Sequence, residues 1–328
     1  MAISNVLKTS LLLGAGMVLA SPAYAEYPGR PISLVIPYGT GGVTDISSRA
    51  LAQAMSEELS KPLVLVNRTG AGGVAGTAMV AHSRDDGYTM MAARVGTHTV
   101  NPAMKSNLPY ALEDFSIVGI YEINPIVCVT NSESGIESMS QLVEKAKSEP
   151  GAVNYSSAGV GSLQHLSGAM LLDSFGVENT LENVVHLPMR GGGEAAIAVL
   201  NGTATYLCDS SAAVAGFIQN GQVNPLIVTT KERLQGIDAP TAAELGHPEL
   251  EVLLGWTGIA GPKGIKPDVV ESWTKWLSAA THNPTFVSSM EKLGSVVVNM
   301  EKQESEDFIN TQYKIFKGVV EKLNMQVN

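Results

Sequence analysis

Short apolar blocks alternate along the chain with stretches in which apolar residues recur every three or four positions. Ile32–Pro37 is an uninterrupted block that stops at a proline, which predicts a buried strand. Asp45–Leu59 follows, with Ile46, Ala50, Leu51, Ala54, Met55 and Leu59 at helical spacing. Leu63–Val66 predicts the next strand, Gly76–His82 a helix and Tyr88–Ala93 a third strand. This β-α-β-α-β order implies a parallel sheet with right-handed crossovers. A second cycle runs through strand Pro125–Val129, helix Ser140–Ser148, strand Ala152–Ser156, helix Gly161–Phe175, strand Val184–Leu187, helix Gly193–Leu200 and strand Ala204–Cys208, closing at Asn224–Val228. The tail predicts helices near Asp268–Ala280, Pro284–Leu293 and Glu304–Leu323, too few strands for a third unit. It is therefore expected to pack back on the first. The reading is an α/β protein of two lobes: 26–123 plus 232–328 form lobe one and 124–231 form lobe two. Two chain crossings, near Ile120–Asn124 and Thr229–Gly236, hinge a cleft between them.

The first 25 residues follow another pattern. Lys8 is the sole charged side chain before Glu26, Leu11–Ala20 is apolar throughout, and Ala23-Tyr24-Ala25 is a small-x-small cut site. This is the layout of a secretory signal peptide, expected to be cleaved after Ala25. The apolar run is too short to span a bilayer, which needs about 20 residues, so a periplasmic location is expected. With 45% hydrophobic and 16% charged residues, the chain of 328 is too apolar for a disordered protein. A net charge of −10 argues against a nucleic-acid partner, which would call for a basic face. Two cysteines exclude a disulfide-framed scaffold and a four-cysteine zinc site. Cys128 and Cys208 sit in apolar, strand-like stretches. An oxidising compartment would let them pair, but two buried thiols are the expectation.

Candidate chemistry lies where strands end. Strand Ile32–Pro37 runs through Tyr38-Gly39-Thr40-Gly41-Gly42-Val43-Thr44-Asp45 into a helix. In parallel sheets ligands bind beyond the carboxyl ends of strands, and a helix start offers free N–H groups and a positive dipole end to an anion. Tyr155-Ser156-Ser157-Ala158-Gly159-Val160-Gly161-Ser162 repeats this arrangement in the second cycle, with His165 one turn on. Met189-Arg190-Gly191-Gly192-Gly193 and Gly96-Thr97-His98-Thr99 add two more cases, and Arg190 supplies a planar cation suited to carboxylate. Any one of these loops is equally well a tight turn; four on one edge favour a small anion. A protein of net negative charge does not draw anions by its overall field, so local dipoles of about 0.3–1 kcal/mol each must carry the attraction.

Enzyme readings are weaker. The sequence contains no Gly-x-Ser-x-Gly elbow, His-Glu-x-x-His pair or Walker motif, and the six histidines show no metal-ligand spacing. Gly70-Ala71-Gly72-Gly73-Val74-Ala75 fits a loose dinucleotide pattern, a weak signal alone. No cofactor and no metal are expected. The rival reading from another class is a periplasmic serine hydrolase using Ser162 and His165, with Asp209 completing a triad. A third keeps the fold but feeds ligand occupancy to a membrane kinase.

Tyr27-Pro28-Gly29-Arg30-Pro31-Ile32, Val35 through Asp45, Val66-Asn67-Arg68-Thr69-Gly70-Ala71-Gly72-Gly73, Asp86-Gly87-Tyr88-Thr89, Tyr155 through Ser162, His186-Leu187-Pro188 and Ala239-Pro240-Thr241-Ala242-Ala243-Glu244 ahead of Trp256 resemble, in order, the Bug family. These are the extracytoplasmic receptors of tripartite tricarboxylate transporters. The resemblance implies a periplasmic binding protein of type II-like architecture, expected as a monomer, that closes on a small carboxylate and delivers it to a two-component membrane permease. Matched by position, Gly41, Gly42, Thr44, Asp45, Thr97 and His98 would face Ser157, Gly161, Ser162, His165 and Asp209. Asp45, a carboxylate, would hold a water or an orienting contact, or simply start its helix. Arg190 replaces the lysine common in Pro-Tyr-Lys-Gly, and Arg94 stands where a small apolar residue is typical. Arg94 or Arg190 is thus the candidate for a second acidic group, making the ligand a dicarboxylate, with an aromatic one included.

Overall fold

The computed structural model describes residues 27–327, so the export segment and its cleavage after Ala25 lie outside the described residues. Ten strands form the scaffold: β1 (Ile32–Ile36), β2 (Leu63–Asn67), β3 (Thr89–Arg94), β4 (Phe115–Asn131), β5 (Val153–Ser157), β6 (Val184–Pro188), β7 (Tyr206–Ser210), β8 (Val223–Val228), β9 (Leu254–Pro262) and β10 (Val296–Met300). Their order is β2-β1-β3-β9-β4-β7-β5-β6, with β8 and β10 also paired to β4. The predicted α/β alternation is present: β1 pairs in parallel with β2 and β3, and β5 pairs in parallel with β6 and β7. The middle differs from the all-parallel expectation. β9 runs antiparallel to both β3 and β4, and β4 runs antiparallel to β7 and β8.

β4 joins the two lobes. The block expected at Pro125–Val129 is the second half of a 17-residue strand. Phe115 to Pro125 pair with β9, and Ile126 to Thr130 pair with β7. The ladder changes partners at Pro125, which has no N–H to donate. Residues 229–253 carry the chain back from β8 to β9. Thr229 ties the two together: its Oγ1 accepts from Ile126 N–H (3.1 Å) and donates to the Leu253 carbonyl (2.7 Å).

The tail packs mainly on the elements that precede Pro125. Helix Lys302–Lys322 packs against β4 and the 96–104 segment and buries Ile309, Phe316 and Val320 in the apolar cluster that also holds Val35, Val80 and Ala93. Its buried Gln312 accepts from the Trp256 indole (2.8 Å) and donates to the carbonyls of Val252 and Leu254, both at 2.9 Å. That pins the end of the 229–253 segment to the tail. A separate apolar cluster around Trp273, Phe286 and Tyr121 covers the other face of lobe one, and Val127, Val129, Leu207 and Val228 centre one in lobe two.

One expectation is corrected here. The antiparallel register places Cys128 directly opposite Cys208, and the two form a disulfide rather than two buried thiols. The composition of each strand could not show this, because it is the pairing of β4 with β7 that brings the thiols together.

Candidate functional site

Four helices begin at one cleft between the lobes. Val43–Ala54 contributes Val43, Leu163–Ser174 contributes Leu163 and Gln164, Gly192–Leu200 contributes Gly192 and Gly193, and Ser211–Gln219 contributes Ala213. Three of these starts, at Gly42, Gly191 and Ser210, have no side-chain cap. The first N–H groups of a helix have no intrahelical partner, so these donors are open to a ligand. The cleft encloses about 690 Å³, within the range of small-molecule sites. Its floor is the hinge itself, with Asn124 and Ile126 of β4 and Gly255 of β9.

Charged side chains enter from both sides. Arg94, at the end of β3, donates to Thr257 Oγ1 (3.2 Å) and to Asn124 Oδ1 (3.4 Å), both neutral acceptors. Among the described residues it has no carboxylate partner within ion-pair distance. Asn124 is oriented in turn by the fully buried Glu122, whose Oε1 accepts from Asn124 Nδ2 at 2.9 Å and from Ser295 Oγ at 2.7 Å. Lys105 lines the same wall, and burial pulls its ammonium below the usual lysine range. Across the cleft, Asp209 at the end of β7 is 4% exposed. Its Oδ1 accepts from Ser210 N–H (2.7 Å) and Gln164 Nε2 (3.0 Å), while Oδ2 has no partner among the described residues. Burial raises its pKa above the ordinary carboxylate value, opposed by those two hydrogen bonds and by Arg94. Tyr38 also lines the cleft, and Gly96 lets it in: a Cβ there would meet the phenol oxygen at 2.5 Å.

Of the residues singled out in the sequence, Arg94, Gly161, Ser162 and Asp209 line the cleft; Gly41, Gly42, Thr44, Asp45, Thr97, His98, Ser157, His165 and Arg190 do not. Asp45 shapes the first loop. It accepts from Gly41 N–H (2.9 Å), Asn67 Nδ2 (2.9 Å) and Arg49, and the Arg49 hydrogen bond leads in holding its carboxyl down at about 2. The Gly41 N–H is therefore already taken. Gly42 caps the helix behind Val43, and Thr44 is buried. Thr97 and His98 are fully buried, with Thr97 Oγ1 on His98 Nδ1 (2.8 Å) and accepting from Arg94 N–H (3.2 Å). They shape the turn that presents Arg94. Arg190 does not line the cleft: its side chain is 91% exposed and ion-paired to Glu194 at 2.7 Å, one helical turn on.

The hydrolase triad is not assembled. Ser162 Oγ caps its helix by accepting from His165 N–H (3.1 Å), while His165 Nδ1 accepts from Gly161 N–H (3.3 Å). Asp209 is bound to Gln164 instead of the histidine. His165 instead stacks on His186 at 4.0 Å, and Ser157 Oγ bonds His186 Nε2 at 2.6 Å.

The stack fixes an acid dependence. Burial first, then the neighbouring His186, lowers His165 to about 4; burial lowers His186 to about 4 and His98 to about 3. Between pH 6.5 and 4 the unfolded chain therefore binds protons that the native chain refuses, and stability falls as pH falls. Urea midpoints should hold level with respect to these groups above pH 7 and decline steadily from 6.5 to 4. His186→Gln should flatten that decline.

A hollow of about 790 Å³ on the outer side of lobe two lies among Met139, Val143, Phe175 and Leu245. Glu137, Glu144 and Asp238 rim it, and Lys147 is committed to the Phe175 carbonyl at 3.0 Å. An anion is repelled there, so the interlobe cleft is the candidate site.

Comparison with known proteins agrees with this architecture. A family profile described as "Tripartite tricarboxylate transporter family receptor" matches residues 47–325. Protein BugT of Bordetella pertussis (strain Tohama I) is 31% identical over 92% of each chain. The structure of the periplasmic binding protein BugD superposes with a TM-score of 0.75 at 29% identity, covering 92% of this chain and 99% of that one. MatC from Rhodopseudomonas palustris, solved with bound malate, gives 0.75 at 25% identity over 90% and 100%.

Proposed function

The chain belongs to the tripartite tricarboxylate transporter receptor family, and on that premise we propose that it is a periplasmic receptor that captures a small dicarboxylate and hands it to a two-component membrane permease. The family consists of solute-binding receptors, and BugD, its structural relative, is a periplasmic binding protein. Lobe one spans 26–123 and 232–328, lobe two spans 124–231, and closure shifts the population from open to closed.

The observation that carries the reading is Arg94, a cation held by neutral acceptors in a cleft where uncapped helix starts converge. The helix N–H groups of Gly192, Gly193 and Gln164 bind one carboxylate and Arg94 the other. Lys105 helps balance the second charge. Malate bound to MatC is a ligand of this class on a related fold.

A thermal-shift screen of mono- and dicarboxylates tests the proposal. A dicarboxylate at 100 times its Kd should add about 2.7 kcal/mol of stability, and monocarboxylates of equal length should add far less. A screen in which only sugars or cations shift the melt would overturn it.

A further inference from the structure

Asp209 is an odd neighbour for an anion. Its Oδ2 is buried and unpartnered, and a Cβ at Gly192 would lie 3.2 Å from it. The oxygen thus sits beside the very helix start that offers free N–H groups to a ligand carboxylate. Two bare carboxylates side by side repel unless a proton-bearing group lies between them. Oδ1 is already filled by Ser210 and Gln164, so the carboxylate cannot turn to hide Oδ2 without breaking both bonds.

Resting on the dicarboxylate reading above, we infer that Asp209 selects diacids carrying a hydroxyl or amino group on the carbon next to one carboxylate. That group donates to Oδ2 while its carboxylate takes the helix N–H groups of Gly192 and Gly193. The distal carboxylate reaches Arg94 on the opposite lobe. A plain diacid leaves the buried oxygen without a donor, and the discrimination follows from that lost charge-assisted bond.

Calorimetry with succinate, malate and aspartate, and with glutarate, 2-hydroxyglutarate and glutamate, tests this. At least one donor-bearing member should bind wild-type protein tenfold or more tightly than its plain parent, and the series shows whether hydroxyl or amino is preferred. In Asp209→Asn the amide oxygen can keep the Ser210 and Gln164 bonds while its NH2 replaces the unpartnered acceptor. There the preference should fall below threefold, with any amino diacid losing most. Asp209→Ala, checked for a native melt, should also lose it. Equal binding of plain and substituted diacids to wild type, or an undiminished preference in Asp209→Asn, would overturn the inference while leaving the dicarboxylate reading intact. Failure of every diacid to bind wild type would overturn both.

Discussion

Replacing Arg94 by alanine will weaken dicarboxylate binding about 30-fold or more and leave monocarboxylate binding within about threefold. The guanidinium stands over the hinge floor and, among the described residues, hydrogen-bonds only Thr257 and Asn124. Removing a charged partner from a desolvated ligand carboxylate costs about 2–5 kcal/mol, because the ligand charge is then buried without compensation. The asymmetry between mono- and diacids is the informative part. General damage to the cleft would weaken both. Arg94→Lys should fall between, since a single ammonium cannot hold two neutral acceptors and a carboxylate in one plane. Arg190→Ala is the internal control: its side chain is paired to Glu194 at the surface, so dicarboxylate affinity should not move. Unchanged dicarboxylate affinity in Arg94→Ala, measured by calorimetry, would remove the arginine from the site.

The second large effect concerns stability. Cys128 and Cys208 close a loop of 80 residues. A cross-link of that span restricts the unfolded chain, and losing it typically costs about 2–4 kcal/mol. Reduction, or the double substitution Cys128→Ala with Cys208→Ala, should lower the urea midpoint accordingly with a measurable drop in melting temperature. Cys208 precedes Asp209 on β7, so the same variant should also loosen ligand binding. An unchanged midpoint under reducing conditions would show that strand pairing alone fixes β4 to β7.

The lobes were legible because their strands are apolar blocks bounded by glycine, proline or serine and their helices keep a regular spacing. Ile32–Ile36 and Val43–Ala54 emerge within a few residues of the predicted bounds. The hinge was not. The first half of β4 carries Glu122 and Asn124, which look exposed in sequence but are buried and hydrogen-bonded to each other and to Ser295. β9 has no counterpart among the predicted strands, and Gly255, Gly258 and Gly261 punctuate its apolar run. The structure needs Gly258 there: a Cβ would strike the Gly119 carbonyl at 2.5 Å on the neighbouring strand. Helix Ser211–Gln219, which supplies one wall of the cleft, was also missed, since Ser-Ala-Ala-Val-Ala-Gly has almost no polar face to mark its period. In the site, Arg94 was visible only as a departure from its family's pattern. The unpaired state of Asp209 Oδ2 was invisible, because it depends on three elements meeting.

A continuous strand through both lobes sets the leverage of the clamp. Asn124 and Ile126 lie on the axle, so whatever rests on the floor travels little as the proposed closure swings the jaws, whereas the exposed Val160 at the lip sweeps a wide arc. Chemical identity is thus read near the pivot while the jaws still gape, and bulk is judged at the rim, where an oversized tail holds them apart.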